Sequence, residues 1–558
     1  MSSSASSPGR AASRCLLCSV GCPVRVIRAG PDQYLPDYVP HAGYAGLCGR
    51  GSVLVELLDH PERIREAHWH AGPAASPGDP AEAGDGCVAL GLEAAAREMA
   101  AALGDADSAA IIVDGNLDAD TVASAGRFAS GAGAKWAVLV PPSDEAMVRA
   151  LDSSGCRFVG PEALASSDAM LILGDPFATH PVAAHWILAA KKARPRMPVL
   201  VLGDGSSVTA DFASAAYQAT PGAGLAAAVA SVRTGAGADA KPTAGWKEQL
   251  QSAKQAVIVL APDAGSASVL GLASEAAALA KETGAAVCPL TTYGNAWGSV
   301  RAASAGPAVE GTSHYRAGGA TAIEAILREP IETLVVIGAD LESALAPQAV
   351  EEALGGVLTL IYVGPMPNAT SRRAGLVLPS AFAFEDSGRA LLGPGREVAF
   401  EPLLPPPAGV PTVREILAMA GAGGEAKADV SAPVPAARMP SNGSKVRGEG
   451  LLLRLANDPI HFADGSLTRA CRWPQAVLPR PVLVLAEADA EAAGLAEGRT
   501  AVVRGPGGSA EAVVATDARQ RAGQARASAA FPAMRSVFGW ESGAADAYEP
   551  VRVQVGKA

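Results

Sequence analysis

Seven short apolar runs, each followed by a helical stretch, restrict the fold of this chain more than any other feature. Each run is rich in β-branched residues, stops at a Gly, Asp or Pro, and is followed by an Ala-rich segment. Apolar runs of this length that alternate with helices are typical of buried parallel strands in βαβ units. The runs lie at 109–115, 136–142, 169–175, 197–204, 255–263, 333–340 and 358–364. The pattern predicts an α/β body, and a Gly-rich break predicts that this body divides into two lobes near 235–250.

Changes in composition divide the chain into four zones. Residues 1–65 hold four of the eight cysteines, and residues 66–420 contain all seven apolar runs. Residues 421–447 have no apolar periodicity, which is typical of an interdomain linker. Residues 448–558 alternate short strand-like runs with Gly-rich turns, a pattern that predicts a small β-barrel.

The charge and the apolar content restrict the partners of the protein. The formal net charge is -11 and the sequence pI is about 5.4, whereas binding to nucleic acid requires a basic surface. No run of 18 apolar residues is present, so the sequence predicts no transmembrane segment. The polar N-terminal segment lacks the apolar stretch and the twin arginine of export signals. We therefore expect a cytoplasmic protein, which could associate with the cytoplasmic face of a membrane through its partners.

Four cysteines near the N-terminus have the spacing of a metal-cluster site. Cys15, Cys18, Cys22 and Cys48 follow the pattern C-x2-C-x3-C-x25-C, with three cysteines in one loop and the fourth at a distance. Four thiolates satisfy a [4Fe-4S] cluster, whereas a structural zinc site is more often built from two close pairs. The spacing therefore favours the cluster, with zinc and free thiols as alternatives. The other cysteines are scattered, and we expect them to be small buried side chains: Cys87, Cys156, Cys288 and Cys471.

The residues around the four cysteines resemble the N-terminal iron–sulfur domain of the molybdopterin oxidoreductase superfamily. The segments that carry the resemblance are CLLCSVGCPVRV and GLCGRGSVLVELLDHPERI. The superfamily includes formate dehydrogenases, periplasmic nitrate reductases and the large cluster-bearing subunit of bacterial complex I. Arg50 lies two positions after the last cysteine, where a cation can tune a cluster or face a second cofactor. The other residues that fit the family pattern are Gly51, His60, Pro61, Glu62 and Arg63.

Three downstream segments resemble the same family in the same order. SSDAMLILGDPFATHPVAAHWILAAKKARPRMPVLVLGD implies a turn over pterin phosphates, with cofactor contacts at Gly174, Asp175, Pro176 and His180. LVLPSAFAFEDSGRALLGPGREV implies further cofactor contacts at Glu385, Gly388 and Arg396. VLVLAEADAEAAGLAEGRTAVVRGPGGSAEAVV resembles the family's dinucleotide-binding barrel, which has six strands and a double-psi-like topology. The resemblance thus implies an N-terminal [4Fe-4S] domain, a two-lobed parallel α/β molybdopterin-type body and this barrel.

The resemblance also implies an oxidoreductase that handles electrons. The segment before the run at 169–175 lacks the Cys-His pair that supplies the metal ligand in formate dehydrogenases, and Cys156 is followed by Arg157. We therefore expect an electron-transfer subunit of a complex I-like (NADH:quinone oxidoreductase) or formate dehydrogenase-like assembly, with other redox subunits as partners. One alternative is an active enzyme with Mo or W on bis-molybdopterin guanine dinucleotide, and another is a zinc-stapled scaffold protein. No catalytic residue is assigned, because the eight histidines are dispersed. No NAD site of the usual type is evident either, because no G-x-G-x-x-G motif follows a strand.

Overall fold

The computed structural model describes most of the chain. The described residues are 13–30, 33–37, 43–44, 46–70, 87–262, 266–305, 323, 326–343, 345, 347–422, 427–431, 434, 449–538 and 550–558. Most of the predicted linker at 421–447 lies outside them.

A seven-stranded sheet forms the first lobe of the body. In order across the sheet, its strands are Cys87–Leu90, Ala67–His70, Leu376–Pro379, Thr359–Gly364, Thr333–Ile337, Ala109–Asp114 and Lys135–Leu139. The last five are parallel, and Ala67–His70 is antiparallel to both of its neighbours. All five residues of Thr333–Ile337 are buried. Burial on both faces explains why these strands are continuous apolar runs, as predicted, and do not alternate with polar residues.

A five-stranded parallel sheet forms the second lobe. Its strands, in order, are Ala215–Gln218, Val199–Gly203, Ala169–Gly174, Ala256–Ala261 and Ala286–Pro289. In the sequence, all five strands of this sheet lie between Lys135–Leu139 and Thr333–Ile337, which are strands of the first sheet. The strands on both sides of 235–250 belong to it, which corrects the predicted division near those residues. The Gly-rich break instead ends a helix, since Gly235 has a left-handed φ of 69° directly after Ala223–Thr234.

The C-terminal zone forms a closed barrel of six strands, as predicted. The strand order is Leu451–Ala456, Gln524–Ser528, Val482–Leu485, Gly508–Thr516, Thr500–Gly505 and Val551–Lys557. Buried and less buried side chains alternate along most of Thr500–Gly505, because one face of each strand points into the barrel. The double-psi-like connectivity remains a prediction.

Helices connect the strands, and three short hairpins complete the described secondary structure. The hairpins pair Ser13–Arg14 with Pro23–Val24, Val26–Gly30 with Gln33–Pro36, and Gly388–Leu391 with Glu397–Phe400. The α-helices of at least four residues are Gly49–Ser52, Leu54–Leu58, Leu92–Asp105, Ala119–Gly131, Pro142–Leu151, Pro176–Thr179, Pro181–Ala193, Ala223–Thr234, Trp246–Ser252, Ser266–Thr283, Ala296–Ala305, Pro347–Leu354, Val413–Met419, Arg472–Val477, Glu487–Ala492 and Pro532–Arg535. In the part of the chain that the structure describes, no helix combines the length and the apolar character needed to span a membrane.

The described part of the predicted linker packs against the body. The backbone N–H of Ala428 donates to Asp120 at 2.9 Å, and that of Val434 donates to Asp152 at 2.8 Å. Val434 is also buried. Carboxylates of the body thus accept backbone hydrogen bonds from these two residues of the predicted interdomain linker.

Candidate metal centre

The N-terminal hairpin brings the first three cysteines together. Pairing of Ser13–Arg14 with Pro23–Val24 places Cys15 beside Cys22, and the N–H of Cys15 donates to the Cys22 carbonyl at 2.8 Å. The turn between them is tight because Gly21 has a φ of 65° and its N–H donates to the Cys18 carbonyl. Cys48 directly precedes the helix Gly49–Ser52. All four cysteines line one cleft of about 370 Å³, a volume that includes open solvent.

Burial shifts the acid–base equilibria of these thiols. It raises the pKa of Cys18 to about 11 and raises the pKa values of Cys15 and Cys22 well above the usual range. Neighbouring cysteines add to the rise at Cys15 and Cys22, whereas the Arg50 guanidinium lowers the pKa of Cys18. Metal ligation requires thiolates. The donor set therefore fits a cation or cluster that compensates several buried thiolates at once.

Arg50 and His180 line the same cleft. Arg50 is 3% exposed, and its Nη2 donates to the Thr179 carbonyl. His180 is also buried, and its Nε2 donates to the Thr291 carbonyl at 2.9 Å. Burial, with a smaller effect of Arg50, lowers the pKa of His180 to about 4, so the ring is neutral near pH 7. Thr291 also receives a hydrogen bond from the N–H of Ser19 in the cysteine loop, which ties the loop to His180.

The predicted residues 174–176 form the turn that leads to His180. Gly174 has a φ of 104°, and a Cβ atom there would lie 2.0 Å from the Ala261 carbonyl oxygen. The Asp175 carboxylate accepts hydrogen bonds from the backbone N–H groups of Val208 and Thr209 at 2.9 and 3.2 Å. Pro176 begins the helix Pro176–Thr179. A negative charge at Asp175 would repel a phosphate, but here its carboxylate is hydrogen-bonded to the backbone at 208–209. A pterin contact at residues 174–176 remains a prediction.

The three predicted contacts from 385 to 396 occupy different places. Glu385 forms a buried ion pair with Arg63. A Cβ atom on Gly388 would lie 2.6 Å from side-chain atoms of Asp118. Arg396 Nη1 donates to the Ser19 carbonyl at 3.0 Å, so this arginine supports the cysteine loop. Through Arg63, Glu385 contacts the N-terminal segment. Direct cofactor contacts by these three residues remain predictions.

A second cavity adjoins the cysteine cleft. Its volume is about 780 Å³, open solvent included, and Leu17 and Phe462 line both spaces. Asp114 and Gly338, which lie at or after the carboxyl ends of parallel strands, also line it. Burial raises the pKa of Asp114 to about 7. Sequence reasoning missed Asp114, although ligands often bind at the carboxyl ends of parallel strands and the VDG motif at 113–115 marks such an end.

A polar seam joins the barrel to the five-stranded sheet. Arg521 Nη2 donates to the Gln218 carbonyl at 3.1 Å. Gln520 is 4% exposed, and neither polar atom of its side chain has a hydrogen-bond partner among the described residues. The Nε2 of Gln218 has none there either. Buried amides rarely lack partners, so this seam can accept a polar ligand or water.

The four other cysteines do not join the cleft. Cys288 and Cys471 are buried, as predicted, and Cys156 is half-buried with its thiol donating to the Ala277 carbonyl at 3.4 Å. Cys87 is exposed, which corrects the prediction that it is a buried side chain. It lies on the edge strand of the seven-stranded sheet, where few neighbours can cover it.

A solved structure with a similar fold supports the architecture described above. Acetylene hydratase from Pelobacter acetylenicus superimposes with a TM-score of 0.72, over 98% of this chain and 100% of that chain, at 12% sequence identity. The match supports the molybdopterin oxidoreductase fold, with parallel α/β sheets and a six-stranded barrel. No protein-family model and no curated protein sequence matches the chain.

Proposed function

We propose that the protein is an electron-transferring oxidoreductase subunit with one [4Fe-4S] cluster on Cys15, Cys18, Cys22 and Cys48. The observation that carries this proposal is the convergence of all four thiols on one cleft. A cluster bound there would supply one-electron transfer. Its partners would be other redox subunits of a complex I-like or formate dehydrogenase-like assembly, in the cytoplasm or at the cytoplasmic face of a membrane.

Residues of the chain would set the electrostatics of this cluster. The hydrogen bond from Arg50 to the Thr179 carbonyl holds a positive charge at the wall of the cleft. His180 adds no charge near pH 7 because its pKa is about 4. A fixed cation favours the more negative, reduced state of a nearby cluster. We therefore expect Arg50 to raise the reduction potential.

A second candidate is an active enzyme that holds Mo or W on a molybdopterin guanine dinucleotide. The cavity of about 780 Å³, open solvent included, offers space beside the cleft. The Gln520 amide and the Gln218 Nε2, which have no hydrogen-bond partner among the described residues, could bond to a nucleotide. The described lining of the cavity contains Asp114 but no Lys or Arg, so phosphates would meet no cation there. The similar structure is named as a hydratase, and the fold alone therefore does not separate redox from non-redox chemistry. We place the electron-transfer function first because all four cysteines of the proposed cluster line one cleft.

Metal analysis of the full-length protein, purified without oxygen, tests these functions. The first proposal predicts about four Fe and four sulfide per chain, no Mo or W, and an EPR signal after reduction by dithionite. Mo or W, together with GMP released by acid hydrolysis, would establish the second candidate. Zinc as the only metal would overturn both and support the scaffold alternative.

Two cysteine variants provide a matched comparison. Cys18→Ser removes a thiol that lines the cleft. Cys288→Ser removes a buried thiol in the strand Ala286–Pro289, and this thiol does not line the cleft. We expect Cys18→Ser to lose the EPR signal of the wild type and Cys288→Ser to keep it. Equal iron content and equal spectra in both variants would contradict the assignment of these ligands.

A further inference from the structure

Two histidines and a cysteine cluster at the edge of the seven-stranded sheet, outside the residues that line the cysteine cleft. His68 and His70 are two residues apart in the strand Ala67–His70, so their side chains lie on the same face of it. Cys87, on the edge strand, is the cross-strand partner of His70. One ring nitrogen of each histidine and the Cys87 sulfur all lie within 4.8 Å of one another. Three metal-ligating groups thus meet at one point of the surface.

Backbone carbonyls orient the two imidazole rings. His68 Nδ1 donates to the Glu66 carbonyl at 3.1 Å, and His70 has a hydrogen bond with the backbone of Ala374. The Nε2 atoms of the two rings lie 3.2 Å apart. A hydrogen bond from one ring nitrogen to a backbone carbonyl is the usual support of a metal-ligating histidine, because it directs the lone pair of the other nitrogen at the ion.

We propose that His68, His70 and Cys87 bind one divalent ion of the zinc class. Two nitrogens at about 2.05 Å from a tetrahedral ion lie roughly 3.3 Å apart, close to the 3.2 Å between these Nε2 atoms. Two imidazoles and a thiolate suit Zn²⁺ and exclude Ca²⁺ and Mg²⁺, which prefer oxygen ligands. Both histidines are half-buried and Cys87 is exposed. The fourth position of the ion therefore faces solvent and would hold water.

The ion would fasten the edge strand to the sheet. Cys87–Leu90 buries little of its surface, since its first three residues are exposed. Sixteen residues, 71–86, separate His70 from Cys87 in the sequence. A metal that joins the two ends of this segment removes loop-closure entropy from the unfolded chain. The bound ion would thus cross-link the edge strand to the sheet where that strand lacks a buried apolar face. This proposal does not depend on the proposed function of the four cysteines in the cleft.

Titration of the full-length protein with Co²⁺, a spectroscopic substitute for Zn²⁺, tests the site. We expect the wild type to bind Co²⁺ with d–d bands of tetrahedral intensity and a thiolate-to-cobalt charge-transfer band. Cys87→Ser should lose the charge-transfer band, and His68→Ala should weaken binding at least about 10-fold. Added Zn²⁺ should displace Co²⁺ from the wild type.

Control variants distinguish this site from other thiols and histidines. Cys156→Ser and His185→Ala alter a half-buried cysteine and an exposed histidine elsewhere, and we expect both to bind Co²⁺ like the wild type. Cys87→Ser should also retain the iron content of the wild type, so failure of this site and failure of the [4Fe-4S] proposal are separate results. Identical charge-transfer bands and stoichiometry in Cys87→Ser and the wild type would overturn the proposal.

Discussion

Arg50 places a guanidinium group at the wall of the cysteine cleft. It is 3% exposed and is held by the Thr179 carbonyl, so solvent screens its charge poorly. Its effect on the pKa of Cys18 shows that its field reaches the thiols. At this scale, a single side chain can tune whatever the four cysteines bind.

Arg50→Gln is expected to lower the reduction potential of the proposed cluster. Loss of the positive charge destabilises the reduced state, by an amount on the order of 50–100 mV if the effective dielectric constant is about 20. A redox titration followed by EPR measures the shift. Arg97→Gln serves as the control, because the Arg97 side chain is 70% exposed on the helix Leu92–Asp105. An unchanged potential in Arg50→Gln would contradict the proposed electrostatic role.

Gly174→Ala is expected to destabilise the protein by about 2 kcal/mol or more. The new Cβ would meet the Ala261 carbonyl at 2.0 Å and would also be strained by the φ of 104°. Gly235→Ala shares the positive φ but has open space around its Cβ position, and it should cost about 1 kcal/mol. Urea denaturation of both variants compares them. Equal losses would show that the close approach to Ala261 contributes nothing.

At the scale of elements, one buried ion pair joins the N-terminal segment to the body. Both oxygens of Glu385 accept hydrogen bonds from Arg63, and one also accepts the N–H of Phe382 at 2.9 Å. Arg63 donates to the Leu58 carbonyl at the end of the helix Leu54–Leu58 and lies over the Phe382 ring. The pair therefore fixes the segment after Cys48 against the turn that follows the strand Leu376–Pro379.

Glu385→Ala is expected to lower the free energy of unfolding by about 3–5 kcal/mol, because it leaves the Arg63 charge buried without its partner. The exposed pair of Glu93 and Arg97 provides the comparison, with side chains 76% and 70% exposed and a separation of 3.7 Å. Glu93→Ala should change stability by less than about 1 kcal/mol. Similar losses in the two variants, measured by urea denaturation, would be inconsistent with a special role for the buried pair.

At the scale of the whole molecule, buried carboxylates couple stability to pH. Asp144 is 1% exposed, and burial raises its pKa from 3.8 to about 7 although it accepts the N–H groups of Thr292 and Tyr293. Between these two values the folded protein holds a proton that the unfolded chain releases. The Asp144 contribution to the free energy of unfolding therefore falls as the pH rises from about 4 to about 7, and it is constant above that range.

Asp144→Asn removes this pH dependence. Relative to the wild type, the variant should gain up to about 4 kcal/mol in the free energy of unfolding between pH 4 and pH 7. Denaturation at a series of pH values measures the difference. Asp59 is exposed, so Asp59→Asn is the control, and its free energy of unfolding should depend on pH as that of the wild type does. A constant difference between Asp144→Asn and the wild type would contradict the raised pKa.

Removal of the proposed cluster should loosen one part of the molecule selectively. Three of the four cysteines lie in residues 13–24, and Cys48 directly precedes the helices Gly49–Ser52 and Leu54–Leu58, so loss of a shared metal would remove the link between these segments. After the iron is removed with a chelator and an oxidant, amide hydrogen exchange should accelerate at 13–24 and 46–58. The barrel strand Gly508–Thr516 should keep its protection. Unchanged exchange at the N-terminal segment would show that the thiols do not hold a structural metal.

The fold was predictable where burial leaves a continuous signal in the sequence. The strands Ala109–Asp114 and Thr333–Ile337 are buried on both faces, and their apolar runs were sufficient to place them. The short strand Ala215–Gln218 is only partly buried and lies at the edge of its sheet, so it left no such run. The division near 235–250 was wrong for a related reason, since a glycine that ends a helix looks the same in sequence as a glycine between lobes.

The sequence by itself determined the types of chemical groups and their local spacing: four cysteines in a cluster pattern, strands that must be buried, and a barrel at the end. Only the tertiary structure decided which distant groups meet. It turned the Asp175 charge towards 208–209, paired Glu385 with Arg63, and brought Cys87 to His68 and His70. The physical reason is that strand pairing and burial bring together residues far apart in the chain, and no local pattern in a single sequence encodes those distances.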